Sequence, residues 1–143
     1  MVRADVESVS RIEYEQPIWT TRQFEEELEQ PSGRQLVACT ADSQEIVGYF
    51  CCRIMADEAE IIKIAVERKF RQQGIASLLM EAGLEQMKSS GVRECFLEVR
   101  KSNFQALFLY RKYFFCQVGV RRDYYSSPIE DALIFKLTTG GAL

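Results

Sequence analysis

The sequence predicts a mixed α/β (α+β) fold, with a central, mostly antiparallel sheet that contains one parallel pair of strands and has helices on its faces. Two observations predict it. Three apolar runs of strand character follow one another across short turns, which is typical of an antiparallel meander. A helical pattern then separates the third run from the fourth, and such a crossover joins parallel strands. The 143 residues, 47% of them hydrophobic, suffice for one substantial core, so we expect a single domain over residues 1–143.

Two short helices are expected at the N-terminus. Apolar residues recur at helical spacing from Asp5 to Glu15, and Pro17 would end this first helix. Thr20 and Gln23 have the spacing of a capping box, which opens a second helix. That helix should stop at Pro31-Ser32-Gly33.

The antiparallel meander occupies the next part of the chain. Strands are predicted over Leu36–Ala41 and Ile46–Met55, on either side of the turn Asp42–Glu45. A tight turn near Asp57-Glu58 leads to a third strand over Ile61–Val66. We expect these three strands to pair in sequence order.

A long helix and a fourth strand follow. The apolar residues of Ile75–Ser89 cover one helix face, and Gly91 supplies the stop. Cys95–Val99 alternates between apolar and other residues, as a strand does. Because a helix intervenes, this strand should pair in parallel with Ile61–Val66.

One more helix and two strands complete the predicted fold. Ser102 and Gln105 have capping-box spacing and would open a helix that runs to about Tyr113. Strands are then predicted over Phe115–Arg122 and Leu133–Leu137.

The composition excludes several classes of function. The chain has no histidine, which rules out Ser-His and Cys-His catalysis, and we expect no metal site. The five cysteines show no paired spacing and are interpreted as small buried hydrophobes. The net charge of −3 gives no general reason for affinity to nucleic acid or membranes. No apolar run approaches the ~20 residues that span a bilayer, and no signal peptide is evident, so we expect a cytoplasmic protein.

The segment that links the third strand to the long helix has the character of a phosphate-binding loop. Its sequence is Arg71-Gln72-Gln73-Gly74-Ile75-Ala76. The first turn of a helix has backbone N–H groups without partners and the positive end of the helix dipole, which attract pyrophosphate. Gly74 would let the main chain approach such an anion closely. A single glycine is a weak signal, because it is more often an ordinary loop residue.

A second motif strengthens this interpretation and carries a resemblance to a known family. Arg71–Ala76 matches the pattern Q/R-x-x-G-x-G/A, and Asn103–Tyr110 matches N-x-x-A-x-x-L/F-Y. With these two motifs the chain resembles the GNAT superfamily of N-acetyltransferases, which use acetyl-coenzyme A (acetyl-CoA). Within it, the chain is most similar to the RimI-type ribosomal-protein-alanine N-acetyltransferases.

The resemblance implies a splayed parallel pair of strands, acetyl-CoA as donor, no metal, and direct transfer to an amine. The implied acceptor is the N-terminal peptide of a protein such as a ribosomal protein, with no nucleic-acid or membrane partner. A small-molecule amine as acceptor stays an alternative, as does a non-catalytic module that binds acyl-CoA. Retention of both Glu98 and Tyr110 argues against the module, because a binding module needs neither.

The resemblance also implies roles for individual residues. Glu98 would be the base that deprotonates the amine, and Tyr110 the acid that protonates the leaving thiolate. The strand pattern alone favours a solvent-facing glutamate at Glu98. Tyr110 could instead be a core aromatic, but its N-x-x-A-x-x-L-Y context outweighs that alternative. The implied cofactor-binding residues are Ile64, Ala65, Val66, Arg71, Gln72, Gln73, Gly74, Ile75, Ala76, Ser77 and Asn103.

Two further positions bear on the acceptor side. The cluster of Arg121, Arg122, Tyr124 and Tyr125 would line a groove for the acceptor peptide, or would simply decorate an edge strand. Phe114 stands where the family has a glycine at the end of the helix. If the backbone there needs a positive φ, the bulky residue costs roughly 1 kcal/mol or more.

Overall fold

A computed structural model describes residues 1–12 and 19–138. Two 3-10 turns lie at Arg3–Asp5 and Arg68–Phe70. The helices are α1 (Val6–Ser10), α2 (Thr21–Leu28), α3 (Ile75–Ser89) and α4 (Phe104–Lys112). The strands are β1 (Gly33–Cys39), β2 (Ile46–Met55), β3 (Glu58–Val66), β4 (Glu94–Arg100), β5 (Cys116–Tyr125) and β6 (Glu130–Thr138).

The strands form one mixed sheet in the order β1-β2-β3-β4-β6-β5. Every neighbouring pair is antiparallel except β3 with β4, which α3 connects. The predicted fold class is therefore confirmed, including the meander and the parallel pair.

Two hydrophobic cores lie on opposite faces of this sheet. Successive residues of β2 alternate between them, so Phe50 and Cys52 face α3 and α4, whereas Tyr49 and Cys51 face α1 and α2. All four are fully buried. Because helices cover both faces, β2 is a continuous apolar run and not an alternating one.

The helix starts differ in part from the sequence prediction. The capping box of Thr20 is confirmed, since its Oγ1 accepts from the Gln23 N–H at 3.2 Å. The predicted cap at Ser102 is wrong: the Oδ1 of Asn103 accepts from the Ala106 N–H at 3.1 Å and caps α4. In the predicted capping box, the Gln105 side chain would accept from the Ser102 N–H. The Glu130 carboxylate of β6 accepts from that N–H instead.

The first helix is also shorter than predicted. A 3-10 turn precedes α1, which ends at Ser10. The Asp5 carboxylate accepts from the Val2 N–H at 2.7 Å and makes no capping hydrogen bond to the first turn of α1. The predicted end at Pro17 lies outside the described residues. Of the five cysteines, Cys39 and Cys116 are exposed, so the prediction of burial is wrong for these two.

Two classes of feature are absent from the part of the chain that the structure describes. None of its helices has the length and apolar character needed to cross a bilayer. Nor do three or more of its His, Cys, Asp and Glu side chains converge in a way that could hold a metal ion.

Candidate active site

A cleft opens in the sheet where β3 and β4 part. Their parallel pairing ends at Ile61 opposite Leu97. The next residue of β3, Ile62, is an extra residue relative to β2, which makes it a β-bulge. A bulge bends its strand and disrupts pairing. Residues 62–66 and 98–100 therefore diverge, and a cavity of about 790 Å³ lies between them.

The loop that follows β3 leads into the N-terminus of α3 at one end of this cleft. Gln72 has a φ of +61° and Gly74 a φ of +81°, and α3 begins at Ile75. The Arg71 Nε donates to the Val66 carbonyl oxygen at 3.0 Å, which ties the loop to the end of β3. Residues 74–77 line the cavity. A helix N-terminus in this position offers backbone N–H groups to a phosphate.

The glycine of this loop serves the backbone conformation. A Cβ built at Gly74 would meet no atom within 4 Å, so space alone would permit a larger residue. Its φ of +81° is the left-handed region, which glycine adopts without a steric penalty.

The backbone of β3 past the bulge has an open edge. Ile64, Ala65 and Val66 pair with β2 on one side, and their other side faces the cavity that they line. An extended ligand could therefore add to β3 as a strand-like partner.

Two residues of α4 border the same cavity. Tyr110 is 6% exposed and packs on Phe115, with 5.9 Å between the ring centroids. It is thus both a core aromatic and a cleft residue. Asn103 lines the cavity while its side chain caps the helix.

Glu98 lies on the cleft wall, on the sheet face opposite α3 and α4. Its side chain is 23% exposed, and its Oε1 lies 2.8 Å from the Arg121 Nε of β5. Tyr124, three residues past Arg121, would face the other way in a regular strand. A register irregularity and the positive φ of Asp123 (+50°) turn it to the same side, where it interacts with Glu98.

Two tyrosines supply phenol groups near this carboxylate. The negative charge of Glu98 raises the pKa of Tyr124, and burial raises the pKa of Tyr125 to about 12. The Arg100 guanidinium lies 4.3 Å from the centroid of the Tyr125 ring. Both phenols are therefore protonated at neutral pH and can donate hydrogen bonds.

The cleft gathers most of the residues that the sequence singled out. Those that line it are Ile64, Ala65, Val66, Arg71, Gln72, Gly74, Ile75, Ala76, Ser77, Glu98, Asn103, Tyr110, Tyr124 and Tyr125. Gln73 and Arg122 are exposed outside the lining, and Arg121 reaches the site through its ion pair with Glu98.

Several residues of the cleft wall were not predicted as site residues, and three of them bear on its charge and shape. Glu60, Lys63 and Trp19 all line it, and the Lys63 Nζ lies 5.3 Å from the Trp19 ring centroid. Burial, and then the charge of Glu98, raises the pKa of the Glu60 carboxyl. The signal for Glu60 was its position directly before an apolar run, but the strand was predicted to start only at Ile61.

Comparisons with known proteins agree with this geometry. A profile described as the acetyltransferase (GNAT) family matches residues 5–114. A Bacillus subtilis protein is 36% identical over 84% of this chain and 79% of its own length; its name assigns it provisionally as a [ribosomal protein bS18]-alanine N-acetyltransferase. An Escherichia coli protein named [ribosomal protein bS18]-alanine N-acetyltransferase is 33% identical, over 65% of this chain and 64% of its own length.

Solved structures give the same result. The crystal structure of the ribosomal-protein-S18-alanine N-acetyltransferase from Escherichia coli superposes with a TM-score of 0.88 at 25% identity, covering 96% of this chain and 90% of that one. Ard1 from Thermoplasma volcanium gives a TM-score of 0.87 at 29% identity, covering 96% and 93%.

A mixed sheet with a splayed parallel pair, and a helix N-terminus at the mouth of the cleft, define an acyltransferase fold. The chain belongs to the GNAT family of acetyltransferases, as its two motifs predicted. It is an acetyl-CoA-dependent N-acetyltransferase.

Proposed function

We propose that this enzyme acetylates the N-terminal α-amino group of a protein, and that the acceptor is a ribosomal protein whose N-terminus is alanine. The observation that carries the proposal is the cleft itself. The N-terminus of α3 lies at one end of it and offers backbone N–H groups that suit a phosphate. The partly buried Glu98 carboxylate lies on its wall, on the sheet face away from α3. The relatives that carry a named acceptor act on a ribosomal protein. Such an acceptor would place the reaction in the cytoplasm.

Acetyl-CoA fits the donor part of this cleft. The N–H groups at the start of α3 and the positive end of its dipole suit the pyrophosphate. The open edge of residues 64–66 suits the extended pantetheine arm, whose amides can pair with backbone as a strand does. Arg71 holds the loop against β3.

Glu98 and Tyr110 supply the proton transfers in this proposal. An α-amino group has a pKa of about 7.7 to 8.0, so much of it is protonated near neutral pH. Glu98 accepts that proton, and the amine nitrogen then attacks the thioester carbonyl carbon. As the C–S bond breaks, Tyr110 donates its phenol proton to the departing sulfur. The nitrogen loses its second proton to solvent as the amide forms, and solvent returns a proton to the Tyr110 phenolate.

Release of the coenzyme A thiol tests this proposal. Purified protein is mixed with acetyl-CoA and a short peptide that begins with alanine, alongside the same peptide with an acetylated N-terminus and a panel of small amines. We expect release only with the free peptide. Turnover on small amines alone would show that the acceptor is a small molecule and not a peptide. Tight binding of acetyl-CoA without turnover on any amine would contradict an enzymatic function.

A further inference from the structure

A second carboxylate, Glu60, stands beside Glu98 on the wall of the cleft. Glu60 on β3 is opposite Phe96 of β4, two residues before Glu98, so both carboxylates belong to the same sheet face. Glu60 is exposed to the cavity that it lines. It lies just before the bulge at Ile62, where the two strands separate.

The arginines next to these carboxylates are already engaged. Arg53, the cross-strand neighbour of Glu60, donates from its Nε to the Glu27 Oε1 at 3.1 Å, and the buried Glu27 carboxylate holds it in a two-point contact. Arg121 lies 2.8 Å from Glu98. Among the ion pairs of the described residues, none includes Glu60.

An acceptor amine reaches the cleft mainly as a cation, because its pKa lies at or above neutral pH. A carboxylate without an ion-pair partner is the group that binds such a cation best. Burial, and then the negative charge of Glu98, raises the pKa of the Glu60 carboxyl, and the charges of Arg53 and Arg121 offset this rise only in part.

We propose that Glu60 is the ammonium-binding residue of the acceptor site, which holds the protonated amine of the incoming N-terminus beside Glu98. Glu98 then takes one proton from the nitrogen, which becomes a neutral amine next to the Glu60 carboxylate. Glu60 thereby determines specificity for cationic amines, and it acts on binding of the acceptor more than on the chemical step. This inference rests on the proposed function.

Binding of a matched pair of peptides tests the role of Glu60. One peptide begins with alanine, and the other has hydrogen in place of its α-amino group. Affinities are measured by calorimetry with coenzyme A present, so that no transfer occurs. We expect Glu60→Gln to weaken binding of the amino peptide about tenfold and to leave the des-amino peptide within about twofold. Under turnover, KM for the peptide should rise by a similar factor with little change in kcat.

Glu58→Gln is the matched control. Glu58 lies two residues before Glu60 on the same strand, is exposed, and is outside the cavity lining. It should bind both peptides as the wild type does. An equal loss for both peptides in Glu60→Gln, or no loss for either, would overturn the proposal.

The failure of the proposed function is a separate outcome. If the wild type acetylates no peptide but does acetylate a small amine, the peptide acceptor is wrong. The same comparison is then made with that amine and its des-amino equivalent, and it still decides whether Glu60 binds the ammonium group.

Discussion

Glu98 and Tyr110 face one cleft from different elements and in different surroundings. Glu98 is partly exposed and ion-paired, and Tyr110 is packed in the core. Glu98→Gln removes the proton acceptor but keeps the shape of the side chain, so we expect kcat to fall by about 10² to 10⁴-fold. Tyr110→Phe should cost less, about tenfold, because a thiol with a pKa near 8.5 leaves readily without an acid. Steady-state kinetics and the dissociation constant of acetyl-CoA, which should not change, check both.

Each variant has a matched control in its own element or directly beside it. Glu94 on β4 is also an ion-paired glutamate, 2.6 Å from the Lys136 Nζ, and is outside the cavity lining. Tyr113, which directly follows α4, donates its hydroxyl to Glu81 at 2.8 Å and to the Ser77 carbonyl oxygen at 3.3 Å, and it does not itself line the cavity. Glu94→Gln and Tyr113→Phe should keep normal turnover. Normal turnover in Glu98→Gln and Tyr110→Phe as well would remove both residues from the mechanism.

The end of α4 shows what one unusual residue costs an element. The Phe114 N–H donates to the Arg111 carbonyl oxygen and the Phe115 N–H to that of Tyr110, both at 3.0 Å, which is a Schellman ending. The first of these two donors, Phe114, occupies the position of a Schellman ending that requires a left-handed backbone. It has a φ of +68°, and its side chain is 67% exposed. Its side chain therefore contributes little packing to offset the strain.

Phe114→Gly should accordingly stabilise the fold by about 1 kcal/mol, since glycine adopts this conformation without the Cβ clash. Phe114→Ala is the control, because it removes the ring but keeps the clash. Denaturant unfolding measures both free energies. If the glycine variant were no more stable than the alanine variant, the strain at this position would be negligible.

At Gly83 in α3, by contrast with Phe114, packing against the sheet should favour the glycine that is already present. A Cβ at Gly83 would clash with the Cζ of Phe50, and the Phe50 ring is fully buried. Helix propensity favours alanine by about 1 kcal/mol, but overpacking costs about 1 to 3 kcal/mol. We therefore expect Gly83→Ala to lower the free energy of unfolding. In the background of Phe50→Leu, the same change should cost less, and an unchanged cost would show that the contact is not its cause.

Local sequence signals predicted most helices and strands. The parts of the site that they did not predict depend on the register between strands that are distant in the sequence. The apolar runs, the capping box of Thr20 and the α3 stop at Gly91 follow from a few neighbouring residues, and they were predictable. The bulges at Ile62 and near Asp123 depend on which residues of the partner strands they oppose. Those bulges bring Lys63 and Tyr124 to the cleft, and the early start of β3 brings Glu60 there, so these parts of the site required the tertiary structure.

At the scale of the whole molecule, the cleft joins two halves of the sheet. β1 to β3 and α3 form one wall, and β4 to β6 and α4 form the other, while the parallel pairing between them ends at Ile61. A ligand that contacts both walls binds only the folded protein. At 100 times its dissociation constant, acetyl-CoA should add about 2.7 kcal/mol to the free energy of unfolding. For a chain of this size, that corresponds to a rise in Tm of roughly 5 to 10 °C.

The two glycines at the ends of α3 show whether this stabilisation acts through the helix N-terminus. Gly74 and Gly91 have φ values of +81° and +79°, and a Cβ at either would meet no atom within 4 Å. Alanine should therefore cost each position a similar amount, about 1 kcal/mol, in the free protein. Only Gly74 borders the cleft. Thermal unfolding with and without acetyl-CoA should show a much smaller ligand-induced rise in Tm for Gly74→Ala, and the full rise for Gly91→Ala. Equal rises in the two variants would mean that the loop before α3 does not hold the pyrophosphate.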